Sequence, residues 1–479
     1  MKNRNVFFTL LFTGLIILLS GSGNPKQDQY IIIGWNDLGM HCSNKDFSKI
    51  VILPPYNNLF THVIKRGTLT SMPEKITEGL TVTYEVPGNT FSVGKTNFWD
   101  YEDQIFGVNL PDNIGLTGLG LTGEMLADID HFTAEGVPLT PYTDANLTTE
   151  DPYQMALMKV FNSENMLLAE TQNVIPVSNE INCVSSGCHS SENDILFEHE
   201  REGGFDPTAT PILCANCHGS NALGLPGNPE YGSLSYVIHE KHGDETNDCY
   251  KCHPGQNTQC FRGVMHENGM VCQDCHGSVS QVAQSIENGR EPWLEEPQCG
   301  AIECHGSNYA EEPGLLFRQS KGHAGLYCST CHGSPHAIVP STLDRDNYQN
   351  ITMQGYEGIL NRCLVCHAYD PLGAGPHGVP WTDIEVISLE SFDALEILDI
   401  YPNPVQTSAT IPFHLVDAGK ATLEIFDSNG KLVKTLLNQR VNPGEFSIVL
   451  DASNINSGIY FCKLTQNGKA SMKKIVISK

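Results

Sequence analysis

A chain of 479 residues with 55 acidic against 28 basic side chains carries a formal charge of −27. That balance excludes a nucleic-acid binder, because phosphate recognition demands a basic face. The length admits roughly two to four domains, each with its own core, and fourteen of the seventeen cysteines stand in pairs between Cys183 and Cys366.

The first element in chain order is a secretory signal, predicted over residues 1–23. Lys2 and Arg4 give a positive start, Val6 to Leu19 is almost wholly apolar, and Ser20-Gly21-Ser22-Gly23 supplies small residues for cleavage. The apolar run falls short of the about 20 residues a spanning helix needs. No cysteine that lipid could modify follows before Cys42, and no later segment is apolar enough to cross a membrane. The mature chain is therefore expected to leave the cytoplasm without a transmembrane segment.

Residues 24–178 have the texture of strands. Tyr30-Ile31-Ile32-Ile33, Leu80 to Val86 and Met158-Lys159-Val160-Phe161 are rich in β-branched and aromatic residues. Pro54-Pro55, Pro87-Gly88-Asn89 and Pro111-Asp112-Asn113 read as turns between them. A sandwich-like β-rich domain of unassigned role is expected here.

Residues 179–380 lack periodicity and are rich in Gly, Pro, Asn and Ser, so their own apolar side chains would not offset the entropy of ordering them. Seven paired-cysteine sites explain how such a segment folds. Five have the spacing Cys-x-x-Cys-His: Cys214/Cys217/His218, Cys249/Cys252/His253, Cys272/Cys275/His276, Cys328/Cys331/His332 and Cys363/Cys366/His367. Two have four intervening residues, Cys183/Cys188/His189 and Cys299/Cys304/His305. Two thiols at this spacing add to the two vinyl groups of one haem, and the adjacent histidine is its proximal iron ligand. The longer spacer reaches both vinyls through a bulged loop. Seven c-type haems are expected, each bringing apolar surface for the chain to wrap. Within the segment the pattern predicts short helices over Leu234–His242 and Gly358–Cys366, with loop elsewhere.

Zinc sites and dithiol redox centres also use Cys-x-x-Cys, yet neither requires a histidine directly after the second cysteine. Here histidine follows in all seven pairs. Of the eighteen histidines, seven are these proximal residues and four (His41, His62, His131 and His414) lie in the flanks. The remaining seven, His199, His239, His242, His266, His323, His336 and His377, lie inside the segment as distal candidates. Seven spare histidines for seven irons point to bis-histidine ligation, which fills the coordination sphere and suits electron transfer rather than substrate binding. His239 and His242 stand three apart, so one helical face serves two neighbouring haems. His41, His62 and His131 are reserve distal ligands.

The segment resembles the large family of bacterial multihaem cytochromes used in respiratory and extracellular electron transfer. The likeness lies in the seven motifs and in phrases such as Cys331-His332-Gly333-Ser334-Pro335-His336 and His239-Glu240-Lys241-His242. It implies haems packed closely enough for electrons to pass along a chain. Three cysteines stay outside the motifs: Cys42, Cys260 and Cys462. Outside the cytoplasm Cys42 and Cys260 form a disulfide or stay as buried thiols. Met40-His41-Cys42 offers soft copper ligands, but strand alternation turns His41 away from the other two, and core packing is the stronger reading.

Beyond a linker at 381–395, residues 396–479 return to strands. Ala421 to Phe426 and Lys431 to Lys434 flank Asp427-Ser428-Asn429-Gly430, whose Asn-Gly pair signals a hairpin. A small β-sandwich is expected. Tyr401-Pro402-Asn403-Pro404, Ser457-Gly458-Ile459-Tyr460 and Lys473-Lys474-Ile475-Val476 resemble, in order and spacing, the C-terminal sorting domain of the Bacteroidota type IX secretion system. The resemblance implies export to the periplasm and then passage of the folded protein across the outer membrane. The type IX secretion machinery would be one partner.

The chain is thus read as multidomain: a β-rich domain, a haem-wrapped domain of short helices and loops, and a small β-sandwich. The function expected is a non-catalytic electron relay at the cell surface, its partners other redox proteins or an external electron acceptor. The alternative is a multihaem oxidoreductase acting on small nitrogen or sulfur compounds, which needs an iron with an open position. A third reading gives the β-rich domain a docking role that the haems serve.

Overall fold

The computed structural model describes residues 29–179, 182–255, 258–302, 304–306, 311–369, 376–378, 395–398, 400–415, 419–427, 430–441, 444–467 and 469–479. The signal expected over 1–23 and nearly all of the 381–395 linker lie outside them. Two compact units divide at Trp381/Thr382.

The first unit begins with a β-sandwich. One sheet orders the strands Tyr30–Trp35, Asn57–Lys65, Phe132–Val137 and Leu126–Ala127, with Glu74–Lys75 on Asn57–Lys65. The other orders His41–Cys42, Leu167–Ser178, Tyr153–Asn162, Leu80–Glu85 and Thr122–Glu124. Along Tyr153–Asn162 every second residue from Gln154 to Val160 is buried, the alternation of a strand with one face in a core. Ile32, Leu59, Val82, Tyr84, Met158, Val160 and Ile175 meet between the sheets. In contrast, Tyr30–Trp35 is apolar without alternation because both its faces are covered. Ile32 enters the sandwich core, while Ile31 and Ile33 pack with Val365 of the cysteine-rich segment.

That segment shares the unit with the sandwich, although composition divides them. Its own apolar core is thin. Among the described residues between Cys183 and His367 the buried hydrophobic side chains are Leu196, Leu213, Ala215, Phe261, Ala283, Ala337, Val339 and Val365. Eight such side chains fall far short of what a segment of this length needs to order itself. Contacts to the sandwich supply part of the difference. Gln349 clamps the edge of the first strand: Gly34 N–H donates to Oε1 (2.8 Å), and Nε2 donates to Gly34 O (2.9 Å). Buried Arg262 donates from Nε (2.6 Å) and Nη2 (2.8 Å) to the Asp346 carboxylate and from Nη1 to Gly39 O (2.7 Å).

Helix Leu234–His242 occupies its expected range, capped by Ser233. The helix expected over Gly358–Cys366 is absent. Gly358 sits at φ 108° and only a 3₁₀ turn, Cys363–Val365, forms there. A helix lies upstream instead, at Asp344–Gln354, stopped by Gly355 at φ 91°. Its buried face is polar, made of Asn347, Gln349, Asn350 and Gln354, so no apolar periodicity marked it. The loop expected elsewhere also contains helices Glu192–Glu202 and Val279–Glu287, whose Ser191 and Ser278 hydroxyls accept from Asp194 N–H and Gln281 N–H. These serine caps are visible in the sequence.

The second unit is a small β-sandwich of its own. One sheet orders Glu396–Ile397, Ser408–Leu415 and Gly444–Asp451; the other orders Leu432–Val441, Gly419–Asp427, Gly458–Gln466 and Lys469–Ile477. The expected hairpin pairs Gly419–Asp427 with Leu432–Val441, although Ser428 and Asn429 lie outside the described residues. Two of the three sequence signatures meet in space. Asn403 Nδ2 donates to Lys474 O (3.0 Å), Val476 N–H donates to Asn403 Oδ1 (2.8 Å), and Val405 N–H donates to Val476 O (2.7 Å).

Candidate metal-ligand pairs and cysteine motifs

Each ordinary motif is one tight helical turn. Cys272–His276 and Cys328–His332 are α-helical; Cys214, Cys249 and Cys363 each open a 3₁₀ turn. The turn sets the two cysteines on one side. His253 N–H donates to Cys249 O (2.9 Å) and His367 N–H to Cys363 O (2.8 Å). The two longer motifs end on the same bond: His189 N–H donates to Cys183 O (3.0 Å) and His305 N–H to Cys299 O (3.2 Å). Two extra residues are therefore looped out without changing how the turn closes. In the first, Gly187 at φ 82° makes the bulge, a conformation side-chain-bearing residues avoid.

Six of the motif histidines face one spare histidine each. The ring centroids are 6.3 Å apart for His189 and His242, 6.0 Å for His218 and His199, and 6.0 Å for His253 and His239. They are 6.2 Å apart for His276 and His336, 5.8 Å for His332 and His377, and 6.0 Å for His367 and His323. A transition metal binds imidazole nitrogen at about 2 Å. With about 1 Å more from nitrogen to ring centre on each side, two imidazoles flanking one metal stand about 6 Å apart. Among the described residues no such pair joins two motif histidines or two of the seven spare ones, although the reserve His62 and His131 rings also stand 6.2 Å apart.

Hydrogen bonds fix the ring tautomers. Nδ1–H donates to a backbone carbonyl in His218 (Gly232 O, 3.0 Å), His239 (Ser235 O, 2.6 Å), His242 (Ile238 O, 2.8 Å) and His336 (Leu38 O, 3.3 Å). The Nε2 lone pair is thereby left for a metal, the usual arrangement around ligating histidines. Burial also pushes the pKa of His239, His332 and His336 down, keeping them neutral and able to ligate. His336 and His377 hold positive φ, 67° and 64°, strain of the kind that collects at functional sites. The residues present thus fit a haem between each pair of rings.

The seventh pair is not assembled. His305 is exposed, and among the described residues no histidine ring stands opposite it. His266 instead packs edge-on to Phe261, 5.6 Å between centroids. It lines a cavity of about 430 Å³ that also touches Cys249 and Cys272.

The reserve ligands are engaged elsewhere. His41 Nε2 donates to Asp37 Oδ1 (2.8 Å) and His131 Nδ1 to Asp130 Oδ1 (3.2 Å). Both nitrogens of buried His62 are taken: Nδ1 donates to Asp130 O (3.0 Å) and Nε2 accepts from Tyr327 N–H (3.4 Å). No group of three or more His, Cys, Asp or Glu side chains set to hold a metal occurs among the described residues.

Burial, then the Lys75 charge, pushes the His62 pKa down to about 3. Unfolded, this histidine titrates near about 6.5. As pH falls from about 6.5 to 3 the unfolded chain takes up a proton that the folded one refuses, so stability is lost across that window. His62→Phe should make the loss shallower, read as the denaturation midpoint against pH. An unaltered slope would contradict the assignment.

Residues 399–478 match the family model of the secretion system C-terminal sorting domain. This sorting domain addresses the chain to the cell surface or the extracellular space. No curated protein matches the chain. Among solved structures it is similar to the CARDB domain of a Pyrococcus furiosus protein in complex with di-metal ions. That likeness has 15% identity, covers 20% of this chain and 100% of that one, and has a TM-score of 0.15. It is also similar to dimeric latent PorU from Porphyromonas gingivalis, at 12% identity over 94% of this chain and 34% of that one, TM-score 0.17. The chain therefore spans about a third of the PorU chain. No helix among the described residues is long and apolar enough to cross a membrane.

Proposed function

We propose that this exported protein is a multihaem c-type cytochrome that relays electrons at the cell surface to or from another redox protein or an external acceptor. The observation that carries the reading is the one-to-one pairing of six motif histidines with six spare ones at metal-bridging separation. Covalently bound haem would supply one-electron chemistry, its iron alternating between ferrous and ferric states. The chain's own residues do the rest. Cys183, Cys188, Cys214, Cys217, Cys249, Cys252, Cys272, Cys275, Cys299, Cys304, Cys328, Cys331, Cys363 and Cys366 anchor the groups. Backbone carbonyls hold the histidine rings, and the β-sandwich braces the segment through Gln349 and Arg262. At the six paired sites a histidine from each side would hold the group and would keep substrate from its iron.

The second reading, an oxidoreductase acting on small nitrogen or sulfur compounds, is favoured by one observation. His305 is exposed and unopposed among the described residues. Two measurements separate the readings. The intact mass of the mature protein should exceed the polypeptide mass by seven haems, and an unmodified mass would sink both. Low-temperature EPR of the oxidised protein should show low-spin ferric signals only. A stoichiometric high-spin signal would instead sink the pure-relay reading and favour the second.

A further inference from the structure

Four of the paired histidines donate Nδ1–H to a backbone carbonyl, and three of the four acceptors are local. Ser235 O and Ile238 O lie four residues before His239 and His242, and Gly232 O lies fourteen residues after His218. The fourth bond is different in kind. His336 donates to Leu38 O, 298 residues away, in the turn that follows the first sandwich strand, Tyr30–Trp35.

That turn is tied by Asn36, only 1% exposed. Its Oδ1 accepts from Leu38 N–H (3.2 Å) and Gly39 N–H (3.0 Å), so the side chain closes its own backbone into a turn. Its Nδ2 donates to Asn57 Oδ1 (2.9 Å) and Asn58 O (2.8 Å) of the adjacent strand. Both donors and both acceptor positions of the amide are thus occupied, and the direction of Leu38 O is set by the sandwich.

The ligand loop is held to this turn on both sides of the ring. Ser334 Oγ donates to Asn36 O (2.6 Å). Arg262 donates from its amide to His336 O (2.8 Å) and from Nη1 to Gly39 O (2.7 Å), and Gly263 N–H also donates to His336 O (3.0 Å). Phe261 stands edge-on to the ring, 6.4 Å between centroids. These contacts keep His336 at φ 67° with its ring 6.2 Å from that of His276. A carbonyl accepting from Nδ1–H makes the opposite nitrogen a stronger donor. Hydrogen bonding around an axial ligand is in turn one of the levers that set an iron's potential.

We propose that Asn36 is a positioning residue: through the turn it ties, the β-sandwich fixes the orientation and donor strength of His336 and so lowers the reduction potential of the Cys272 site. This rests on the haem reading above. The sandwich then tunes a site as well as bracing the segment. One electron enters or leaves that site, and no bond forms or breaks.

The test is a potentiometric titration of the full holoprotein, followed by absorbance and EPR. Asn36→Ala should raise the midpoint of one bis-histidine site by about 59 mV, a tenfold change in its one-electron equilibrium, and shift one low-spin EPR signal. Ser334→Ala, which removes the other tether to the turn, should move the same site in the same direction. Val82→Ala, which hollows the sandwich core, should lower the melting temperature and leave every potential where it was. Midpoints unchanged in both tether variants overturn the proposal, as does an equal shift in Val82→Ala. The site is identified by repeating Asn36→Ala in a His336→Met chain. A histidine-ligated site that still shifts there is not the Cys272 site, and the proposal fails. Intact mass is taken first on every chain. A wild-type chain without added haem mass defeats the haem reading itself, whereas a haem-loaded chain with unmoved midpoints defeats only the role of Asn36. If Asn36→Ala does not fold, Ser334→Ala decides alone, by itself and combined with His336→Met.

Discussion

Deleting residues 382–479 should leave the protein inside the cell envelope while its first unit still folds. The two units divide at this point. The C-terminal sandwich closes its own core around Ile411, Leu423, Ile425, Leu464 and Ile475, and the first unit has a separate one around Ile32, Leu59, Val82 and Met158. The expected effect on localisation is all-or-none, because the deleted segment contains the sorting-domain match. Fractionation and protease accessibility of intact cells measure it; truncated protein at the surface in wild-type amount would show that residues 382–479 are dispensable for export. A smaller change probes the same domain. Asn403→Ala removes two hydrogen bonds to the last strand, each worth about 1 kcal/mol. It should lower the melting temperature of the isolated domain before it affects export.

Arg262→Ala should destabilise the first unit by about 3–5 kcal/mol, the usual consequence of leaving one member of a buried ion pair without its partner. The Arg262 and Asp346 side chains are only 3% and 6% exposed. Arg262 also holds Gly39 O and Cys260 O, and the Asp346 carboxylate accepts from Ser341 Oγ. The loss therefore reaches past the pair. Gly39 leaves no room for adjustment: at φ 77°, a Cβ there would lie 1.9 Å from Pro335 O, one residue before His336. Loosening this corner should expose the ligand loop as well as lower the denaturation midpoint. Replacing both partners by apolar residues (Arg262→Met with Asp346→Leu) should recover a large part of the stability, since no lone charge is then buried. A double variant no better than Arg262→Ala would place the cost in the contacts to Gly39 and Cys260 instead.

The tyrosine- and isoleucine-rich start of the chain was legible as a strand because its residue types have few other uses. The paired cysteines were legible for a stronger reason. Their chemistry fixes residue type and spacing locally, and a turn of five residues builds the motif whatever surrounds it. Helix Leu234–His242 and its two histidines could be read for the same reason: a three-residue spacing on a capped helix is local information. The helix at Asp344–Gln354 was not readable. Its buried face is made of amides: Gln349 bonds Gly34, 315 residues away, while Asn347, Asn350 and Gln354 bond backbone groups of neighbouring loops. The reserve status of His41, His62 and His131 likewise dissolved only once Asp37, Asp130 and Tyr327 N–H were seen beside them.

By itself, then, the sequence determined the cysteine–histidine turns and the sorting sandwich. Each is set by residues adjacent in the chain. Only the tertiary structure decided which spare histidine faces which motif histidine, and that among the described residues none faces His305. That pairing depends on contacts across long stretches of chain. A segment with eight buried apolar side chains among its described residues encodes those contacts in scattered hydrogen bonds and ion pairs rather than in a periodic pattern.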